Sequence, residues 1–133
     1  IMCIFCKIVN KEIPSYTIYE DNICVAFLDL SQANIGHTLV VSKKHYNNIL
    51  DITESDASHI FSIVPKITKK ISEVLNIKDF NILNNCGKEA GQTIDHFHIH
   101  IKPRLPNDSI KMEFGEHKLT DEEFKELSKK LSL

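Results

Sequence analysis

Histidine alternates with an apolar residue over positions 96–101, which read His-Phe-His-Ile-His-Ile. Successive side chains of an extended strand point to opposite faces. The alternation therefore predicts a strand whose three imidazoles share one face, about 6.6–7 Å apart, while the apolar residues meet the core on the other face. Because imidazole can act as nucleophile, acid, base or metal ligand near neutral pH, this face indicates a chemical function. A surface strand with histidine in its outward positions and a metal-binding strand are the two alternatives.

Composition narrows the class of protein. The chain has 133 residues, 42% of them hydrophobic and 26% charged, which is typical of one soluble globular domain spanning 1–133. A net charge of −2 with scattered Lys and Arg argues against partners such as nucleic acid or a membrane surface. Ile1 precedes Met2, so we expect Met2 to be the natural start. No signal peptide precedes the first motif, which predicts a cytoplasmic protein.

The order of apolar and turn residues predicts an α+β fold with an antiparallel five-stranded sheet. Short apolar runs indicate a helix over 4–10 and strands over 16–20, 23–29, 37–42 and 79–84, before the histidine strand that ends near Pro103. Thr53 is a predicted N-cap for a long helix with apolar residues at helical spacing, which Pro65 should kink or shift. After an irregular stretch over 103–117, Thr120 begins a C-terminal helix.

A polar loop over 85–93 leads directly into the histidine strand. Gly91 allows a ligand to approach the backbone closely, and Asn85, Gln92 and Thr93 offer amide and hydroxyl groups. Backbone N–H groups in such a loop can hold an anion. Most polar glycine loops are only turns, but beside aligned imidazoles this one predicts a phosphate site suited to covalent transfer.

Cysteine forms a second pattern, Cys3-x-x-Cys6, which by itself indicates a redox motif, a metal site or chance. A thioredoxin-like motif requires a preceding strand, and no strand precedes these cysteines. A structural zinc ion takes four ligands, commonly two thiolates and two imidazoles. His45 and His96 are the natural remaining pair. Cys24 lies in an apolar run and is predicted to be a buried thiol.

Several segments together resemble the histidine triad (HIT) family of nucleotide hydrolases and transferases. The histidine strand follows the family pattern His-φ-His-φ-His-φ-φ, where φ is hydrophobic, except for a lysine at its last position. Three further segments match in the family order, namely Phe27-Leu-Asp-Leu-Ser31, Gly36-His-Thr-Leu-Val-Val-Ser-Lys-Lys-His45 and Ala90-Gly-Gln-Thr93. The resemblance covers a core of about residues 3–104, and residues 105–133 correspond to a variable C-terminal segment.

The resemblance implies a role for each matching residue. His98 would attack the α-phosphorus to form a nucleotidyl-histidine, and His100 would contact the phosphate and help protonate the leaving group. His37 would support the triad, although a purely structural histidine is the other interpretation. Asp29 would accept hydrogen bonds from the ribose hydroxyls. Phosphate and leaving group would be held by Asn85, Gly91, Gln92 and Thr93, and a purine by Phe5, Ile8, Ile13, Phe27 and Leu30.

The resemblance also implies a cofactor and an assembly. In some bacterial-type members, residues matching Cys3, Cys6, His45 and His96 bind one structural zinc ion per chain. Family members are usually homodimers in which two five-stranded sheets join into one of ten strands. His59 and His117 match no motif and are expected to be exposed to solvent.

The implied substrates are purine nucleoside phosphoramidates, in which AMP or GMP is joined to an amine. A dinucleoside polyphosphate hydrolase is an alternative, because the sequence at positions 89–92 resembles that of the dinucleoside polyphosphate hydrolase branch of the family. Asn85, where that branch tends to carry glutamine, favours the phosphoramidase. A module that binds nucleotide or zinc without catalysis is the alternative from another class. Both catalytic interpretations require the His98 ring to be exposed to the bound nucleotide.

Overall fold

The computed structural model describes residues 3–133, so the expected start at Met2 lies outside the described residues. Its elements are α1 (Ile4–Val9), β1 (Thr17–Glu20), β2 (Cys24–Leu28), β3 (Thr38–Ser42), α2 (Glu54–Leu75), β4 (Asp79–Leu83), β5 (His98–Arg104) and α3 (Asp121–Leu131). Each lies within about two residues of its predicted bounds, as expected for element ends read from sequence.

The strands form one sheet in the order β1-β2-β3-β5-β4, and every neighbouring pair is antiparallel. β1 and β2 form the predicted hairpin around Asp21 and Asn22. α2 connects β3 to the edge strand β4, and β5 then returns between them. The structure therefore has the predicted α+β fold with an antiparallel five-stranded sheet.

Helices cover the two faces of the sheet. α2 packs against one face, where Phe97, Ile99 and Ile101 are fully buried as predicted. On the other face, Phe5 of α1 packs against side chains of β2 and β3. The Phe5 ring centroid also lies 5.8 Å from that of His96 and 5.0 Å from that of His98. The alternation along β5 thus places apolar residues toward α2 and imidazoles toward α1.

α2 runs unbroken through Pro65, so the proline neither ends nor shifts this helix. A proline inside a helix removes one N–H donor and leaves the carbonyl four residues earlier, here that of Phe61, without its partner. Both residues are exposed, and water can satisfy a carbonyl on the solvent side. The buried stripe of the helix, with Ile60 and Ile67, is unaffected.

Asp21 fixes the β1–β2 turn to α2. Its Oδ1 accepts hydrogen bonds from the backbone N–H groups of Ile23 and Cys24 at 2.7 and 2.8 Å. Its Oδ2 accepts from the hydroxyl of Tyr19 at 2.7 Å and from Nε2 of His59 at 2.6 Å. His59, which we expected to be exposed to solvent, keeps 40% of its side chain exposed, and this bond holds the rest of the ring against the turn. Cys24 is buried, as predicted.

Removing the charge of Asp21 should destabilise the fold. Burial alone would raise the pKa of this carboxyl, but the hydrogen bond from His59 and the other donors outweigh it and hold the pKa well below its usual range. We expect Asp21→Asn to lower the free energy of unfolding by about 1–2 kcal/mol at pH 7, measured by urea denaturation. Asp121→Asn, on the exposed α3, is the control and should change it by less than about 0.5 kcal/mol.

The C-terminal segment is bound to β5 near its start, because Asp108 accepts hydrogen bonds from Arg104 and Asn34, and it ends in an exposed helix. Thr120 and Glu123 form a capping box at the start of α3, as predicted for this N-cap, and every residue of the helix is exposed. His117 is exposed, as expected. Within residues 3–133, no helix combines the length and apolar character that crossing a membrane requires.

Candidate active site and metal site

The register of β3 against β5 brings three imidazoles together. Leu39 pairs with His100 and Val41 with His98, so these four side chains share the face that α1 covers. The ring centroids of His98 and His100 are 4.9 Å apart. His37 immediately precedes β3, and its ring centroid lies 5.3 Å from that of His100.

A cavity of about 330 Å³ opens beside these rings. It is lined by Ile4, Phe5, Ile8, Pro14, Ser15, Tyr16, Phe27, Leu28, Asp29, Leu30, Ser31, Leu39, Thr93, Ile94, His98 and His100. Its walls are mostly apolar and include one carboxylate, several hydroxyls and two imidazoles, which is typical of a site for a small organic ligand.

His98 presents one ring nitrogen to this cavity. Its Nδ1 donates to the backbone carbonyl of His96 at 2.6 Å, which fixes the tautomer and leaves the lone pair on Nε2. No described residue hydrogen-bonds to Nε2, and every buried polar side-chain atom among them has a partner, so Nε2 reaches the open cavity. His98 is only 6% exposed, and its ring is reached from the cavity, which is where both catalytic interpretations require a nucleotide to bind.

Burial lowers the pKa of His98, outweighing the opposing hydrogen bond to the His96 carbonyl. The ring is therefore neutral at pH 7. A neutral imidazole with a free Nε2 lone pair, facing a cavity, can act as a nucleophile.

His37 sets the tautomer of His100. The backbone N–H of Ala33 donates to Nδ1 of His37 at 3.2 Å, so the proton of His37 is on Nε2. That Nε2 donates to Nδ1 of His100 at 3.0 Å. His100 must then carry its own proton on Nε2, which makes it a donor. These bonds give the buried His37 a positioning role, which the sequence had left open between support and structure.

Burial, with the positive charges of neighbouring groups, lowers the pKa of His100 to about 3. In the absence of a ligand this ring is a neutral donor and carries no charge at pH 7. An anion bound beside it would favour its protonated form.

Asp29 lies on the cavity wall with its side chain 21% exposed. Its Oδ1 accepts from the backbone N–H of Ser31 at 2.8 Å, and its Oδ2 is 3.5 Å from Nε2 of His37. Each oxygen keeps free lone-pair capacity. The carboxylate can therefore accept hydrogen bonds from two hydroxyls of a ligand.

One of the four residues predicted in the polar loop lines the cavity. Thr93 lines the cavity, whereas Asn85, Gly91 and Gln92 do not. Gly91 has a φ of 89°, a conformation that favours glycine. The Gln92 amide is bound to backbone groups of the protein. Of the predicted phosphate side chains, that of Gln92 is therefore committed to the protein backbone, and that of Asn85 does not line the cavity.

Most of the residues predicted to enclose a purine line the cavity. Phe5, Ile8 and Phe27 line the cavity, Leu30 lines it from an 82% exposed position, and Ile13 is not part of the wall. The prediction missed several lining residues, including Leu39, Ile94 and Tyr16. Leu39 could have been found, because it lies two residues after His37 and so shares its face of the strand.

The four predicted metal ligands converge. Sγ of Cys3 lies 3.3 Å from Nδ1 of His96 and 3.6 Å from Nδ1 of His45. Sγ of Cys6 lies 3.2 Å from Nδ1 of His45 and 3.6 Å from Nδ1 of His96. Sulfur and nitrogen ligands of a tetrahedral zinc ion are separated by about 3.6 Å, given bonds of about 2.3 and 2.1 Å. The donor set therefore fits zinc in type and spacing.

The tautomers and thiols also fit a metal ion. Nε2 of His96 donates to the carbonyl of Ser42 at 2.7 Å, which leaves the Nδ1 lone pair directed at the thiols. Burial, together with the hydrogen bond to Cys3, raises the pKa of Cys6 to about 11. A cation beside this sulfur would favour the Cys6 thiolate at neutral pH.

Two other groups of potential ligands are committed to hydrogen bonds. In the cluster of Asp21, Cys24 and His59, both carboxylate oxygens already accept two bonds. In the cluster of Asp29, His37 and His100, the proton on Nε2 of His37 occupies the position of a metal bond.

Neutral buried imidazoles should make the fold sensitive to acid. Burial lowers the pKa of both His37 and His100, the second to about 3. In the unfolded chain, histidine has a pKa of about 6.5, so between about pH 3 and pH 6.5 the unfolded chain binds more protons than the folded one. The contribution of these two rings to the free energy of unfolding is therefore fully present above about pH 6.5 and is lost as the pH falls toward 3. We expect the urea midpoint to fall between pH 7 and pH 5, and to fall less in His100→Gln. Equal slopes for both proteins would contradict this assignment.

Comparison with known proteins agrees with this geometry. The model of the HIT domain matches residues 10–107. An adenosine 5'-monophosphoramidase of Schizosaccharomyces pombe is 35% identical over 132 residues, covering 98% of this chain and 96% of that protein. The crystal structure of a HIT family protein from Bacillus anthracis superposes with a TM-score of 0.93 at 44% identity, covering 98% of this chain and 94% of that one.

A third relative bears on the metal site. The Zn-bound histidine triad family protein from Mycobacterium smegmatis has a TM-score of 0.78 and 32% identity, with 86% of this chain and 84% of that chain covered. Cys3 and Cys6 precede the matched domain, so their convergence with His45 and His96 comes from the structure of this chain. On its sequence, its fold and its aligned imidazoles, the chain belongs to the HIT domain family.

Proposed function

We propose that the protein is a nucleotide hydrolase that cleaves AMP or GMP from purine nucleoside phosphoramidates through a nucleotidyl-His98 intermediate. The observation that carries this proposal is the Nε2 atom of His98, which faces the cavity while Nδ1 is bound to a backbone carbonyl. The relative in Schizosaccharomyces pombe named a monophosphoramidase supports the same substrate class.

In the first step, Nε2 of His98 attacks the α-phosphorus, and the bond from phosphorus to the leaving nitrogen breaks. His100 donates a hydrogen bond from Nε2 to the phosphate. The negative charge of the phosphate favours the protonated form of the His100 ring. The leaving amine then takes a proton from that ring. In the second step, water attacks the phosphorus and gives a proton to His100, the bond from phosphorus to Nε2 of His98 breaks, and the nucleoside monophosphate leaves. Covalent catalysis thus divides one difficult displacement into two easier ones.

The remaining cavity residues would bind the nucleoside. Phe5, Ile8 and Phe27 offer apolar surface for a purine, and Asp29 offers carboxylate oxygens to the ribose hydroxyls. Thr93 and the backbone N–H groups of the loop would hold phosphate oxygens. Binding and orientation by these groups supply much of the acceleration in phosphoryl-type transfer.

A zinc ion held by Cys3, Cys6, His45 and His96 would be structural. With four protein ligands it has no open position for water, and it would supply a link between the N-terminal segment and the strand that carries His98. The Zn-bound relative from Mycobacterium smegmatis supports this part of the proposal.

A cytoplasmic homodimer completes the proposal. β1 and β4 are the edges of the sheet, and joining two five-stranded sheets into ten strands requires one free edge from each copy. The net charge of −2 and the lack of a polybasic surface support a small nucleotide, and neither nucleic acid nor membrane, as partner.

The test compares two substrates and traps the intermediate. The protein is mixed with an adenosine phosphoramidate or a dinucleoside polyphosphate, and turnover is measured side by side. Rapid quenching followed by mass spectrometry should locate an adenylyl group on His98. Faster cleavage of the polyphosphate would favour the alternative hydrolase, and turnover with no adduct on His98 would overturn the proposed intermediate.

A further inference from the structure

The side chain of Gln92 connects the polar loop to the segment that carries one metal ligand. Its Oε1 accepts from the backbone N–H of Gly87 at 2.8 Å, and its Nε2 donates to the carbonyl of Asn47 at 2.6 Å and to that of Ile94 at 3.0 Å. The residue is 9% exposed. Because a buried amide loses much when a partner is removed, these bonds fix the loop relative to Asn47.

Asn47 is in turn connected to the metal site. Nε2 of His45 donates to Oδ1 of Asn47 at 3.3 Å, while Nδ1 of the same ring faces the two thiols. His45 is exposed and lies in the loop after β3, whereas His96 is fully buried and bonded to Ser42. A bound metal would therefore restrict His45 far more than His96.

We propose that Gln92 couples the two sites, so that a metal ion on the four ligands and a nucleotide phosphate at the loop each raise the affinity of the other. The path runs from His45 through Asn47 and Gln92 to the backbone of Gly87. This inference rests on the proposed function and on the metal site. Coupling between binding sites is reciprocal, so one factor governs both affinities.

The experiment measures that factor twice on the 133-residue chain. The dissociation constant of AMP is measured by calorimetry with zinc bound and after chelation, and zinc affinity is measured by chelator competition with and without AMP. We expect a change of about fivefold in both measurements for the wild type. In Gln92→Met, which keeps the length of the side chain and removes its hydrogen bonds, the factor should approach one while both ligands still bind.

Gln32→Met is the matched control. The amide of Gln32 also joins backbone groups, accepting from Gly36 and His37 and donating to Asp29, but its loop contains none of the four metal ligands. The affinity for AMP can change in this variant, but the coupling factor should remain that of the wild type. Equal loss of coupling in both glutamine variants would overturn the assignment to Gln92.

Other outcomes are equally decisive. A wild type that forms the adenylyl adduct, binds zinc and shows no coupling overturns this inference and leaves the proposed function intact. A protein that binds no AMP fails the proposed function, and one that binds no zinc has no second site to couple. If the zinc-free protein unfolds, metal and nucleotide are coupled through folding. The coupling would then persist in Gln92→Met, and this result would contradict the inference.

Discussion

Replacing His98 with alanine should reduce turnover of an adenosine phosphoramidate by about 10⁴-fold or more, while AMP binds within a few-fold of wild type. Among residues 3–133, Nε2 of His98 is the only ring nitrogen whose lone pair is directed into the cavity. The variant removes this atom. The apolar wall and Asp29, which would bind the nucleoside, stay in place. Steady-state kinetics and calorimetry with AMP measure the two effects separately.

His117→Ala is the control for this variant, because His117 is exposed and far along the chain from β5. Its turnover should equal that of the wild type. A His98→Ala protein that keeps its turnover would end the assignment of the nucleophile. If neither protein turns over any nucleotide substrate but both bind AMP, the chain is a binding module, the alternative from another class.

The sequence predicted most of the fold because its local signals agree with the tertiary packing. Period-two alternation placed the imidazoles and the apolar residues of β5 on opposite faces, and the N-caps of α2 and α3, Thr53 and Thr120, were found from their side chains. The hairpin turn around Asp21 was also found. The bond from Asp21 to His59 was not, because it joins residues 38 positions apart and leaves no periodic pattern.

The site was predicted less completely for the same reason. Residue types and the family resemblance identified His98, His100 and Asp29, but the direction of each proton depends on backbone groups that only the fold brings close. The N–H of Ala33, for example, decides the tautomer of His37. A glutamine at position 92 looks the same in the sequence whether its amide faces a phosphate or a backbone carbonyl. Its contacts could therefore be found only from the three-dimensional structure.

Replacing Cys6 with alanine should abolish stoichiometric metal binding and lower the thermal midpoint by about 10 °C or more. Three ligands would remain, one thiol and two imidazoles, and they are one short of the four that a structural zinc ion takes. A ligand at 1,000 times its dissociation constant stabilises the fold by about 4 kcal/mol, which for a domain of this size is a shift of this order. Elemental analysis should give about one zinc per wild-type chain and far less in the variant.

A chelator separates lost metal from lost packing. In the wild type, chelation should lower the midpoint to about that of Cys6→Ala, while the variant should respond to the chelator very little. Cys86→Ala is the matched control, because its thiol is half-buried but belongs to none of the candidate ligand groups within residues 3–133. It should keep both the metal and the chelator response. A metal-free wild type with an unchanged midpoint would show that these thiols and imidazoles stabilise the fold through hydrogen bonds alone.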